Sequence, residues 1–189
     1  MVCNIDDSEE PTFQGNYTKS KILDIYGERI GIIGVILRTT NNIAKTGKLK
    51  FLDEASSVRA EAEVLKNQGV NKIIVISHCG LERDREIARD GGPNIDIIVG
   101  GHSHSLLYTG SPPLDNPAAD YPVIVNQDLG HRVLIVQASA YTKYVGNLTV
   151  EFDAEGIIQS YDGNPVFLST DVAKDPLVEA ALVPWRRII

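Results

Sequence analysis

The sequence predicts an α/β fold of the α+β type, with mixed sheets and flanking helices, and three observations support this prediction. The chain has 189 residues, of which 43% are hydrophobic and 23% charged, as in soluble globular proteins. Its central part alternates apolar strand patterns with helical patterns, which is typical of a sheet with helices on its faces. After Gly110 the pattern changes to short β-rich runs separated by turns.

The first predicted elements form a hairpin. Residues 21–26 and 29–36 are β-rich runs, and Gly27 and Glu28 lie between them. The second run is apolar at nearly every position from residue 30 to residue 36, so we expect a strand that is buried on both faces.

The middle of the chain is expected to fold as helix, strand, helix, strand. Residues 53–68 predict a helix, because Asp53 can cap its N-terminus and apolar residues repeat along one face. Residues 72–77 predict a buried strand that ends at His78. A short helix over residues 82–89 follows, and its charged residues are expected to face solvent. Another buried strand is expected over residues 95–99.

The last third predicts mostly antiparallel strands. Residues 111–120 contain three prolines and predict a surface loop. A helix is expected to begin near Pro176. The strand runs between them form a predicted meander over residues 121–127, 133–138, 145–152 and 157–160.

Composition excludes several functions. Lys and Arg total 18 and Asp and Glu total 25, so a net charge of -7 leaves no positive surface for nucleic acid or an anionic membrane. The apolar runs are far too short to cross a bilayer. Cys3 and Cys79 do not make a disulfide framework, and residues 1–7 lack the features of a signal peptide.

Three histidines are predicted to converge on one divalent metal site. His78 follows one buried strand, and His102 and His104 follow the next, after two glycines that allow a sharp turn. Ligands of open α/β sheets bind beyond the carboxyl ends of the strands. Three neutral imidazoles are a ligand set for zinc or a similar metal. Taken alone, His78 is also typical of a polar residue that caps a strand end. His131 is expected to be an exposed loop residue.

Two segments resemble the calcineurin-like metallophosphoesterases, most closely the branch of ecto-5'-nucleotidase and the arthropod salivary apyrases. Residues 70–80 end in Ser-His-Cys-Gly, and residues 96–110 contain Gly-Gly-His-Ser-His. Residues 136–138, 143–146 and 163–165 continue the resemblance over nearly the whole chain.

The resemblance implies a four-layered αββα domain that holds two divalent metal ions, usually zinc, bridged by an Asp. It implies that His78 and His102 bind one metal and that His104 binds the other. Relatives of ecto-5'-nucleotidase often have Asn or Gln at the position of His104, whereas His is common in the wider superfamily.

Other family motifs are absent from the sequence, namely Asp-x-His, Gly-Asp and the Gly-Asn-His motif with the catalytic His-Asp pair. We therefore expect residues 1–170 to be the second half of the metallophosphoesterase domain and residues 171–189 to begin the helix that links it to a C-terminal nucleotide-binding domain. No catalytic residue is assigned in this chain, and the fragment alone is expected to be inactive.

The resemblance implies hydrolysis of nucleoside 5'-monophosphates such as AMP to nucleoside and phosphate. The alternatives are an apyrase that acts on ATP and ADP, and a non-catalytic metal-binding or interaction module. The resemblance also implies a secreted or membrane-anchored protein and is compatible with a homodimer. Glycosylation sequons begin at Asn16 and Asn147. Upstream sequence with the missing ligands would distinguish an enzyme from a module.

Overall fold

The computed structural model describes residues 1–186, apart from the side chain of Leu129. Its strands are β1 (Ile5–Asp6), β2 (Ser20–Ile25), β3 (Glu28–Ile36), β4 (Lys50–Phe51), β5 (Lys72–His78), β6 (Ile97–Val99), β7 (Val123–Asn126), β8 (Arg132–Val136), β9 (Tyr144–Val145), β10 (Thr149–Phe152), β11 (Ile158–Asp162) and β12 (Val166–Phe167). Its α-helices are α1 (Glu54–Asn67), α2 (Leu81–Asp90) and α3 (Pro176–Arg186).

A six-stranded mixed sheet forms the centre of the fold, in the order β2-β3-β5-β6-β8-β7. The four inner strands are parallel, and the two outer strands are antiparallel to their neighbours. Helices α1 and α2 are the crossovers between the parallel strands β3, β5 and β6. The predicted α/β class is therefore confirmed, as are the β2–β3 hairpin and the alternation of helices and strands.

Helices α1 and α2 pack against one face of this sheet. Asp53 caps α1 as predicted, because its Oδ1 accepts a hydrogen bond from the Ser56 amide at 3.0 Å. The predicted apolar face is confirmed too, since Val58, Ala62 and Leu65 are buried. At Gly31 a Cβ atom would lie 2.8 Å from Leu65 Cδ1, so the glycine lets α1 approach β3 closely.

The opposite face of the sheet is partly open, which corrects the expectation that the central strands are buried on both faces. Ile76 and Val99 are neighbours on this face and are 49% and 42% exposed. The N-terminal segment lies against the second half of β3, where a Cβ atom at Gly34 would lie 2.1 Å from the Met1 carbonyl oxygen. Asn4 fixes that segment, because its buried amide donates to the Ile36 carbonyl and accepts from the Ile36 amide.

The last third is not one meander, which corrects the prediction. Strand β8 lies inside the main sheet, parallel to β6, and only its pairing with β7 is antiparallel. The expected strand over residues 145–152 is broken at Gly146 and Asn147 into β9 and β10, which pair with β12 and β11 in two separate small sheets. The irregular segment of residues 146–148 lets the chain leave one sheet and enter another.

Helix α3 begins at Pro176 as predicted, and Asp175 Oδ1 accepts from the Leu177 and Val178 amides. It lies within the predicted linker segment of residues 171–189, of which residues 187–189 are outside the described part. The domain boundary after residue 170 stays a prediction. Among residues 1–186, no helix is long and apolar enough to span a membrane.

Asp96 is expected to make the protein less stable as the pH rises. Its side chain is buried, and Oδ2 accepts a hydrogen bond from the Ile73 amide at 2.7 Å. Burial raises the Asp96 pKa to about 7, although the Ile73 amide and Lys72 oppose the shift. A carboxyl group whose pKa is raised by folding stabilises the native state below its unfolded pKa. That stabilisation, roughly 4 kcal/mol at about 1.4 kcal/mol per pKa unit, is lost between about pH 4 and pH 7.

The measurement is guanidinium unfolding at several pH values for the wild type, Asp96→Asn and Asp90→Asn. Asn at position 96 can still accept the Ile73 amide hydrogen bond, so the free energy of unfolding should fall less steeply with pH. Lys66, His131 and Glu155 line the same small cavity as Asp96 and are unchanged in the variant. Asp90 is exposed at the end of α2, so Asp90→Asn should follow the wild-type slope. Equal slopes for all three proteins would contradict the prediction.

Candidate metal centre

His78 lies at the carboxyl end of β5, on the open face of the sheet. Its backbone pairs with Ile36 of β3, and its carbonyl accepts from the Leu37 amide at 3.3 Å. The side chain is exposed, whereas the preceding residue, Ser77, points to the helix face and is buried. Alternation along the strand therefore presents the imidazole to solvent.

The histidine loop, residues 100–105, follows the neighbouring strand β6. Two of its residues have left-handed backbone angles, with φ of 73° at His102 and 54° at His104. Such angles cost about 1–3 kcal/mol for residues other than glycine and are concentrated at functional sites. Gly101 lets the loop lie against His78, because a Cβ atom there would be 3.3 Å from His78 Nδ1.

The structure brings His78 and His102 together. Their ring centres are 5.1 Å apart, and the ring planes are inclined by 72°. Two imidazoles bound to one tetrahedral Zn²⁺ at about 2.0–2.1 Å have ring centres about 5 Å apart. The spacing of the two ring centres is therefore that expected of two ligands of one divalent metal.

His104 is exposed and packs on another neighbour. Its ring lies edge-on to Tyr141, with 5.2 Å between the ring centres. Tyr141 is 81% exposed and also has a left-handed backbone, with φ of 57°. Within the described part of the chain, no three His, Cys, Asp or Glu side chains are grouped to hold a metal ion. The assignment of His104 to a metal stays a prediction, as does the complete ligand set.

The buried side chain of Gln137 holds the histidine loop through hydrogen bonds. The sequence did not indicate a role for this side chain. It is 3% exposed, and its Oε1 accepts from the Ser105 amide at 2.5 Å and from Ser103 Oγ at 3.0 Å. Its Nε2 donates to the Gly101 carbonyl at 3.3 Å. One buried amide therefore fixes the backbone on both sides of His102. The available signal was a glutamine at the end of the otherwise apolar run of β8.

The same loop is tied to α2 through Ser103. Its Oγ accepts from the Leu81 amide at 3.1 Å, which satisfies a donor in the first turn of the helix. Gly80 occupies the N-cap position of α2 and has no side chain that could cap the helix. The loop thus supplies the cap that the helix's own sequence lacks.

Asp84 corrects the expectation that the charged residues of α2 all face solvent. Its side chain is fully buried, and its Oδ1 accepts from Ser77 Oγ at 2.5 Å. Burial raises the Asp84 pKa to about 6, and the Ser77 hydrogen bond acts in the opposite direction. Glu82, in contrast, is exposed as expected.

The other candidate residues are structural. His131 is half-buried, with Nε2 2.7 Å from the Ile95 carbonyl oxygen, so the expectation of an exposed loop histidine was wrong. Cys79 is a small buried residue, as expected. Burial raises the pKa of its thiol to about 12, so it is not a thiolate at neutral pH.

Known proteins similar to this chain include apyrases and 5'-nucleotidases. It is 47% identical to an apyrase of Tabanus yao over an alignment of 192 positions, which covers 100% of this chain and 35% of the apyrase. It is 41% identical to a 5'-nucleotidase of Bos taurus over 174 residues, 91% of this chain and 30% of that protein. The chain thus spans about a third of the length of these relatives.

A solved structure shares the fold. The 5'-nucleotidase precursor from Thermus thermophilus superposes with a TM-score of 0.91 at 36% identity, over 99% of this chain and 37% of the other. The protein-family model described as calcineurin-like phosphoesterase matches residues 3–106, which include β5, α2, β6 and the histidine loop. That match spans more than half of the sequence, and the chain belongs to the calcineurin-like phosphoesterase family.

Proposed function

We propose that the protein of which this chain is a part hydrolyses nucleoside 5'-monophosphates to nucleoside and phosphate with the help of two divalent metal ions, zinc in the first instance. The observation that supports it is a pair of imidazoles, with 5.1 Å between their ring centres, that follow the carboxyl ends of adjacent parallel strands. The pair occurs in a member of the calcineurin-like phosphoesterase family. The 5'-nucleotidases among its relatives supply the substrate class.

The proposed chemistry assigns the histidines distinct roles. His78 and His102 would hold one metal through their ring nitrogens, and His104 would hold the second. Bound divalent metals lower the pKa of a water molecule and stabilise negative charge on a transferring phosphoryl group. Gln137 and Ser103 hold the loop so that His102 keeps its position while substrate enters and leaves. Rigid support of this kind matters because small displacements at a reacting site slow catalysis strongly.

An apyrase that removes terminal phosphates from ATP and ADP is the second candidate. It is favoured by the 47% identity with the Tabanus yao apyrase, which exceeds the 41% identity with the bovine 5'-nucleotidase. Both reactions need the same metal chemistry, so the histidine pair does not distinguish them.

We also propose that the complete protein acts outside the cell or at its surface. The family resemblance implies this location, and two sequons agree with it, since Asn16 and Asn147 are both exposed. A homodimer of the complete protein stays a prediction.

The deciding experiment uses the complete gene product, expressed in animal cells and purified with zinc. We expect phosphate release from AMP and loss of that release when a chelator is added. The rate should fall by more than about a hundredfold in His102→Ala, which exceeds the 10–100-fold loss typical when a hydrogen-bond partner of a metal ligand is removed. His131→Ala is the matched control and should keep wild-type activity. Release from ATP and ADP but not from AMP would favour the apyrase, and release from none of them would refute the proposal.

A further inference from the structure

Asp84 lies in an unusual place for a carboxylate. It belongs to α2, faces the sheet, and is fully buried beside the apolar residues Ile87 and Ala88. One of its oxygens, Oδ1, accepts from Ser77 Oγ. Ser77 directly precedes His78 in β5, so Asp84 contacts the strand end that presents this imidazole.

The second oxygen of Asp84 lies against the histidine loop. A Cβ atom at Gly100 would be only 2.3 Å from Asp84 Oδ2, so the carboxylate and the glycine fit together with no space for a side chain. Gly100 is two residues before His102. Among the described residues, Oδ2 has no hydrogen-bond partner.

A buried oxygen without a partner lowers the stability of the fold, so stability does not explain why Asp84 occupies this position. A buried polar atom that lacks a partner costs about 1–3 kcal/mol, and more when it is charged. Hydrophobic side chains fill the neighbouring buried positions of α2 without that cost. The feature that Asp84 adds is simultaneous contact with the residue before His78 and with the loop that presents His102.

We propose that Asp84 is a positioning residue that sets the spacing between His78 and His102 from the helix side of the sheet. It holds the end of β5 through Ser77 and limits the approach of the loop at Gly100. The proposal rests on the proposed function in one respect, namely that the two imidazoles bind a metal together.

The test compares Asp84→Asn and Ser77→Ala with the wild-type 189-residue chain. Asn keeps an acceptor for Ser77 but turns an NH₂ group, with its two hydrogens, toward Gly100. Ser77→Ala removes the hydroxyl contact and leaves Asp84 unchanged. We expect both variants to bind Co²⁺ about tenfold more weakly, the size typical of a lost outer partner. In the metal-free protein, we also expect weaker nuclear Overhauser effects between the two imidazoles.

Two controls separate positioning from stability. Asp90→Asn changes an exposed carboxylate of the same helix and should match the wild type. Val58→Ala removes buried volume from α1 and should lower the melting temperature, while the Co²⁺ affinity of the folded protein stays unchanged. A positioning role therefore predicts an affinity loss that Val58→Ala does not share.

A double-mutant cycle tests the contact itself. Gly100→Ala should destabilise the wild type strongly. It should cost much less in an Asp84→Ala background, because the oxygen 2.3 Å from the new methyl group is gone and only Gln137 Nε2, at 3.0 Å, stays close. Additive effects, or wild-type imidazole spectra in both Asp84→Asn and Ser77→Ala, would overturn the proposal. If the wild type binds no Co²⁺, the metal assignment fails, and the metal-free spectra and the cycle still decide the role of Asp84.

Discussion

Replacing His102 with alanine is expected to lower the affinity of this chain for Zn²⁺ or Co²⁺ by at least about a hundredfold, because a single remaining imidazole is a poor site for either metal. His102 is the ring nearest to His78, at 5.1 Å between centres. Isothermal titration with each metal measures the change, and circular dichroism verifies that the variant is folded.

The two other histidines sharpen this prediction. His131→Ala removes a ring that bonds to the Ile95 carbonyl at the opposite end of β6, and it should leave metal affinity unchanged. His104→Ala should change the affinity of the first metal by less than about threefold, if its ring serves a second metal as the family resemblance implies. Equal metal binding by His102→Ala and the wild type would show that the histidine pair is not a metal site.

Much of the fold could be predicted because its elements are encoded locally. The cap at Asp53, the apolar repeat along α1 and the turn between β2 and β3 depend on residues a few positions apart. The positions of His78 and His102 were predictable for a related reason. Parallel neighbouring strands end at the same edge of a sheet, so residues that follow them meet there.

The rest depends on contacts between distant residues. The charged residues around Asp84 predict a helix face exposed to solvent. Only the packing of α2 against β5 shows that this carboxylate is buried. The role of Gln137 arises because β8 enters the sheet between β6 and β7, which places the residue below a loop more than thirty positions earlier. A strand's place in a sheet is set by its partners and not by its own residues, so periodicity alone did not predict it.

The partly open face of the sheet illustrates the same limit. Ile76 and Val99 lie in runs that are apolar at every position, and such runs predict strands covered on both faces. In the structure they are about half exposed, next to His78 at the edge of the proposed metal site. The apolar run correctly predicts a strand in the sheet. It does not predict which part of a molecule packs against each face of that strand.

Residues 1–189 alone are expected to release no measurable phosphate from AMP or ADP, even with excess zinc. The described residues group no three metal-binding side chains, and a bridging carboxylate beside the His78–His102 pair is not among them. Two dications about 4 Å apart repel by roughly 4 kcal/mol even at the dielectric constant of water, so without an anionic bridge at most one should bind. A single weakly bound metal is not expected to orient both the attacking water and the phosphate for an in-line displacement. The purified chain should therefore match His102→Ala in a phosphate-release assay, and turnover clearly above that variant would show that these 189 residues form a complete catalyst.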